Sequence, residues 1–93
     1  MAPRLVSSAS LFFGIDDELD VFREGRSQNL TLARWAVMFV LHHHVGWGKR
    51  RVARFLQKDK AAIVRGLRRA EALRRSSEVF HAAILELEQE IFL

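Results

Sequence analysis

The feature that most constrains this chain is the segment 49–73, whose apolar residues recur at the spacing of two short helices. The residues predicted to face inward are Val52, Ala53 and Leu56 in the first helix and Ile63 and Leu67 in the second. Asp59 stands between them, where its carboxylate can accept the free backbone N–H groups at the start of the second helix. Two helices joined by so short a turn are typical of a helix-turn-helix.

The charges on this segment indicate what it binds. Residues 49–75 carry eleven Lys or Arg against two acids, a local balance of +9, whereas residues 16–24 and 78–93 are acidic. The formal net charge of +4 therefore understates a one-sided basic surface, and such a surface attracts polyanions. The alternative is a solvated basic face without a partner, and the helix-turn-helix spacing favours DNA over that alternative.

Length and composition limit the fold and the classes of protein to which this chain can belong. With 93 residues, of which 49% are hydrophobic, the chain is predicted to form one all-α domain over residues 1–93 with a single modest core. It contains no cysteine, which excludes a disulfide framework and a thiolate metal site. The apolar stretch near the start, residues 9–13, is too short for a signal peptide or a membrane span. We therefore expect a cytoplasmic protein that makes no membrane contact.

Two helices are predicted before the central part of the chain. The first lies within residues 5–15 and is ended by Gly14. The second is a short helix that starts at a pair of acids, and Gly25 is expected in the left-handed conformation after its last turn. Leu19 and Phe22 are expected to face the core from this second helix.

The central and last helices complete the predicted fold. Residues 30–44 are apolar on nearly every side, which predicts a helix in the middle of the core, with Thr31 as its N-cap. Ser76 or Ser77 is expected to cap the last helix. Its predicted inward residues are Val79, Phe80, Ala83, Ile84, Leu87 and Ile91. The fold class is thus all-α, with five or six helices and no strand.

The sequence offers little for metal binding or catalysis. His42, His43 and His44 are consecutive at the end of the central helix, and consecutive helical residues point about 100° apart. They are therefore not predicted to converge on one metal ion as an i, i+4 pair does. There is no cysteine, no paired carboxylate in an apolar setting, and no serine with a plausible His and Asp partner. We predict neither an enzyme nor a cofactor.

Several of these features occur together in one known domain. In chain order they are Arg26-Ser27, the apolar helix from Arg34, the helix-turn-helix, its basic second helix and the acidic last helix. Their order and spacing resemble those of the C-terminal DNA-binding domain (domain IV) of DnaA, the bacterial replication initiator. The resemblance covers essentially the whole chain and implies a helical fold of the Trp-repressor-like class. The phosphate loop of the initiator's ATPase is absent from the sequence.

The resemblance also implies which residues read bases. In the family, an Asp-His-Thr-Thr-Val signature opens the recognition helix in the major groove, and an upstream Arg enters the minor groove. By position, the signature falls on Asp59-Lys60-Ala61-Ala62-Ile63 and the minor-groove residue on Arg26. Alanine keeps only the apolar contact of threonine, which removes on the order of 1 to 3 kcal/mol of discrimination per lost contact. The residues assigned to base readout are Arg26, Lys60, Ala61, Ala62 and Arg65.

A second set is assigned to phosphate or groove contact, which positions a protein on DNA without specifying sequence. It consists of Lys49, Arg50, Arg51, Arg54, Lys58, Asp59, Arg68 and Arg69, among which Asp59 shapes the turn. The turn before Asp59 is one residue shorter than in the family and has Gln57-Lys58 where the family has Gly.

The resemblance implies a function and partners as well. It implies a standalone, monomeric DNA-binding regulator of replication initiation, nucleoid-associated in a bacterial cytoplasm and acting at origin or initiator-box DNA. Its expected partner is double-stranded DNA, and DnaA or its regulators are further candidates. The alternative is a protein-interaction adaptor that binds the initiator or its regulators with little base-specific recognition. The two alanines at reading positions favour that alternative, and the retained basic segment favours DNA.

Overall fold

The computed structural model describes residues 1–25 and 27–92, and this part of the chain is helical without any strand. In chain order the α-helices are α1 (Ala2–Phe12), α2 (Gln28–Val40), α3 (Lys49–Leu56), α4 (Lys60–Ser76) and α5 (Glu78–Phe92). A 3₁₀ helix, Glu18–Phe22, precedes α2, and a π-helical turn, Leu41–Val45, follows it. The prediction of an all-α fold is confirmed.

Helix α2 lies at the centre because it packs against α1, α4 and α5. Its fully or nearly fully buried apolar residues are Ala33, Ala36, Val37, Met38, Phe39 and Val40, which confirms the prediction of a central apolar helix. The predicted N-cap, Thr31, was wrong. The helix begins at Gln28, and the hydroxyl of Ser27 accepts a hydrogen bond from the backbone N–H of Leu30 at 3.1 Å.

A glycine sets the distance between α2 and α4. A Cβ atom at Gly66 would lie 2.5 Å from the sulfur of Met38 and 3.0 Å from Cδ1 of Trp35. Both distances are shorter than van der Waals contact, so a side chain at this position would force Met38 and Trp35, or the helices that carry them, to shift. Gly66 thus lets α4 lie directly on the central helix.

The segment between α1 and α2 differs from the prediction. It forms a 3₁₀ helix that ends at Phe22, and Gly25 does not adopt the left-handed conformation. Leu19, predicted to face the core, is 55% exposed, while Val21 is fully buried. The reason is geometric, since a 3₁₀ helix turns every three residues and so presents different residues to the core than an α-helix does. Phe22 is half-buried against the core, as expected.

The two terminal helices follow the predictions more closely. Gly14 has a φ of +70° directly after α1, as expected for the residue that ends a helix. The hydroxyl of Ser77 caps α5 by accepting from the N–H of Phe80 at 3.1 Å. Val79 was wrongly assigned to the core. It is 63% exposed, because Phe80 occupies the inward position in the first turn of α5.

Candidate nucleic-acid interface

Helices α3 and α4 pack against each other and are joined by residues 57–59. Gln57 has φ 59° and ψ 44°, the left-handed conformation that usually needs glycine. The N–H of Lys58 donates to the carbonyl of Ala53 at 3.0 Å and the N–H of Gln57 to that of Arg54 at 3.3 Å. This pair of bonds is a Schellman motif, which satisfies carbonyls at the end of α3. The turn therefore forms without the glycine that the family has there.

The start of α4 is capped as predicted. An oxygen of the Asp59 carboxylate accepts a hydrogen bond from the N–H of Ala62 at 2.7 Å, and Asp59 itself has extended backbone angles. The negative charge of this cap also interacts favourably with the positive end of the helix dipole. The buried residues of the two helices include all those predicted to face inward, Val52, Ala53, Leu56, Ile63 and Leu67.

Helices α3 and α4 carry ten exposed cations, and we call the eight that were assigned to DNA contact the basic face. They are Lys49, Arg50, Arg51 and Arg54 on α3, and Lys60, Arg65, Arg68 and Arg69 on α4. The ion pairs in the described part of the chain join Arg23 to two aspartates and His43 and His44 to two glutamates, so none involves the basic face. Its charge is therefore not neutralised by neighbouring carboxylates.

The two alanines at the family's reading positions lie in different places. Ala61 is exposed, next to Lys60 on the basic face. Ala62 is half-buried and lines a pocket against α2. Only one of the two methyl groups is thus presented on the outer surface of α4.

Arg51 differs from the other members of the basic face because an aromatic ring holds it. Its guanidinium carbon lies 3.9 Å from the centre of the Trp47 ring, a cation–π contact. Trp47 in turn packs edge-on against Phe55, with ring centres 5.7 Å apart. The half-buried indole therefore packs at the edge of the core and orients one arginine of α3.

Lys58 was assigned to phosphate contact, and the structure places its ammonium against the protein's own backbone. The Nζ atom donates to the carbonyl of Arg23 at 3.0 Å and to that of Phe22 at 3.5 Å. An ammonium group has three N–H donors, so one donor remains for another partner. Lys58 thereby connects the turn before α4 to the segment that precedes Arg26. Arg26 itself, assigned to the minor groove, lies outside the described residues.

A residue that the sequence reasoning missed organises this same segment. Arg34, 7% exposed, is the one charged residue in α2. Its Nε donates to the carbonyl of Val21 at 2.9 Å, and its two terminal nitrogens donate to three more carbonyls, those of Asp20, Arg23 and Gly25, at 2.6 to 2.9 Å. Burial lowers the pKa of this guanidinium, an effect that the nearby charges of Glu24 and Asp20 oppose. A single arginine within an apolar helix was the signal that could have revealed it.

The three consecutive histidines diverge to separate partners, as their spacing predicts. His42 Nδ1 lies 2.8 Å from the carbonyl oxygen of Trp47, and His43 Nε2 lies 2.9 Å from a carboxylate oxygen of Glu71. His44 Nε2 is 4.0 Å from a carboxylate oxygen of Glu88. These contacts connect the π-helical turn after α2 to the following loop, to α4 and to α5.

Comparison with known proteins adds no relative. The chain matches no protein-family model, no curated protein and no solved structure. Within residues 1–25 and 27–92, no helix has both the length and the apolar character needed to cross a bilayer. The function of this chain must therefore be inferred from the arrangement of its own residues, above all from the basic face.

Proposed function

We propose that this chain is a DNA-binding protein of the helix-turn-helix class, in which α4 enters the major groove. The single observation that carries the proposal is the basic face, eight exposed cations on two helices whose other side is buried. None of the eight forms an ion pair with a carboxylate within residues 1–25 and 27–92. An accumulation of positive charge on one side of a small protein creates a potential that attracts polyanions. A DNA backbone supplies negative charge along the full width of such a face.

Helix α4 has the residues that groove recognition requires. Ala61, Arg65 and Arg68 are spaced i, i+4 and i+7, so they share one outer face, and Lys60 precedes them at the start of the helix. An α-helix of ordinary diameter fits the major groove, where Lys and Arg pair with the O6 and N7 atoms of guanine. Lys60 and Arg65 are therefore proposed to read bases, and Ala61 to contact an apolar base edge such as a thymine methyl.

Helix α3 is proposed to lie on the phosphate backbone. Arg50 and Arg54 are four residues apart and exposed on its outer side, and Lys49 stands at its first position. Arg51 is exposed as well, with its guanidinium stacked on Trp47. Contacts from these groups position the protein and account for affinity, while α4 accounts for specificity.

The resemblance to domain IV of DnaA supports a more particular role, a standalone regulator of replication initiation at origin or initiator-box DNA. Lys60 and the two alanines replace the family's His-Thr-Thr, so we expect weaker discrimination for that box and a preference for sites with accessible guanines. The exposed methyl group of Ala61 also keeps the adaptor alternative open, in which α4 contacts the initiator or its regulators rather than bases.

The test measures binding of the purified protein to a duplex that carries the initiator's box and to a scrambled duplex, by fluorescence anisotropy at several salt concentrations. We expect the affinity for both to fall with salt, with a slope of about −0.9 in log–log form per phosphate contacted. Tighter binding to the box supports the initiation role. Equal binding to both supports DNA binding with a different site, and binding to neither contradicts the proposal and favours the adaptor.

A further inference from the structure

A pocket of about 350 Å³ lies between α2 and α4, beside the basic face. This volume is within the range of pockets that hold small organic ligands. Its apolar wall comes from Trp35 and Met38 of α2 and from two small residues of α4, Ala62 and Gly66. At Gly66 the backbone of α4 lies directly against the side chains of Trp35 and Met38, so these three residues close the pocket on its apolar side.

The mouth of the pocket is cationic. Arg65 and Arg69 are four residues apart on α4, so their side chains emerge on the same side of the helix, and both are exposed. Neither forms an ion pair within the described part of the chain, and no acidic residue lines the pocket. Thr31 adds a hydroxyl from the opposite wall. An anionic group is therefore the natural occupant of the mouth.

Two further cations line the pocket but are already engaged. Arg34 uses four of its N–H groups on backbone carbonyls, and Lys58 uses two of its three. They add positive potential to the pocket without being free to follow a ligand. Arg65 and Arg69 are therefore the groups that would bind the anion directly.

We propose that this pocket binds a nucleoside monophosphate, with the base against the half-buried indole of Trp35 and the phosphate between Arg65 and Arg69. A flat heteroaromatic ring matches the indole wall, because bases stack on aromatic side chains. A phosphate monoester carries nearly two negative charges at neutral pH and three acceptor oxygens, so it can satisfy both guanidinium groups, whereas a carboxylate would neutralise only one.

Binding of such a ligand would have a consequence for DNA. Arg65 and Arg69 also belong to the basic face, so a bound phosphate withdraws two cations from the DNA surface and competes with it. This consequence depends on the proposed DNA-binding function. Binding of the nucleotide itself does not, and it can be measured in the absence of DNA.

The direct test follows the fluorescence of Trp35 in a Trp47→Phe variant, in which Trp35 is the remaining tryptophan. Adenosine monophosphate is titrated in, and adenosine and inorganic phosphate are titrated separately. We expect a saturable change with adenosine monophosphate and at least tenfold weaker binding of each part alone. Equal affinity for inorganic phosphate or for adenosine, or no saturation at millimolar nucleotide, would overturn the proposal. Calorimetry on the unaltered chain repeats the titration without any substitution.

A matched pair of variants locates the site. Arg69 lines the pocket, whereas the adjacent Arg68 does not, because neighbouring helical residues point about 100° apart. We expect Arg69→Gln to weaken binding of adenosine monophosphate at least tenfold and Arg68→Gln to leave it within about twofold. Equal losses in the two variants would mean general attraction to a basic surface and would contradict a defined pocket. Either result leaves the DNA-binding proposal to its own test.

Discussion

Arginines have opposite roles in two regions of this molecule. Arg34 is buried in α2 and donates to four carbonyls of the protein's own backbone, whereas Arg65 and Arg68 on α4 are exposed and have no carboxylate partner in the described residues. The first arginine is part of the fold, and the others are available to a partner. Positive charge alone therefore does not identify a binding surface here; charge that the protein leaves unsatisfied does.

The largest effect on stability should come from Arg34. We expect Arg34→Ala to lower the free energy of unfolding by about 3 kcal/mol, because several backbone carbonyls of residues 20–25 lose their donor. Urea denaturation measures the change. Arg68→Ala is the control and should stay within about 0.5 kcal/mol of the unaltered chain. A similar loss in both variants would contradict the distinction between the two kinds of arginine.

The largest effect on DNA binding should come from the opposite region. We expect the double variant Lys60→Ala, Arg65→Ala to lose roughly 2 to 6 kcal/mol of binding free energy, since each of the two removed base contacts costs about 1 to 3 kcal/mol. Its midpoint of urea denaturation should not change. Arg4→Ala combined with Arg75→Ala removes the same charge away from the proposed reading residues and serves as the control. Unchanged binding of the first double variant would contradict the assignment of α4.

Lys58 combines the two roles, stabilising the fold and being available to a partner. It lies in the basic segment 49–75, yet its ammonium donates to the carbonyls of Phe22 and Arg23. We expect Lys58→Ala to cost about 1 kcal/mol of stability through the loss of these charged hydrogen bonds. Lys49→Ala, on the exposed end of α3, should cost less than about 0.5 kcal/mol. If denaturation shows the two variants to be equally stable, the hydrogen bonds from Lys58 to Phe22 and Arg23 contribute little to the stability of the fold.

The smallest expected effect concerns Arg51, whose guanidinium stacks on Trp47. Losing a cation–π contact at an exposed site should cost about 0.5 to 1 kcal/mol. Arg50 is one residue away and has no aromatic partner among the described residues, so Arg50→Ala should change stability by less. The comparison needs thermal denaturation of both variants under the same conditions, and a larger loss for Arg50→Ala would be inconsistent with the role given to the indole.

Local predictions succeeded where neighbours in sequence decide the outcome. Gly14 ends α1, Asp59 caps α4 and Ser77 caps α5, because caps and left-handed residues depend on the few residues around them. The 3₁₀ helix was not predicted, because it depends on residues that are distant in the sequence. Its geometry follows from packing and from the hydrogen bonds to Arg34, whose partners lie 9 to 14 residues away in sequence.

The sequence likewise predicted some features of the candidate site and not others. The sequence identified the basic face, since the helical repeat of α3 and α4 separates apolar from charged positions. It did not reveal that Lys58 is bound to a distant backbone, that Ala61 and Ala62 lie in different environments, or that a pocket lies between α2 and α4. Each of these depends on contacts between segments that are distant in the sequence, such as the close approach of Gly66 to Met38 and Trp35.

The sequence by itself therefore determined that this protein is all-α, where α3 and α4 lie and which of their faces is charged. Periodicity and capping carry this information because they act within one or two helical turns. The tertiary structure alone decided which cations remain free. Whether a guanidinium contacts a carbonyl, an indole or solvent depends on chain segments that are far apart in the sequence. The buried Arg34 and the exposed Arg65 differ for this reason.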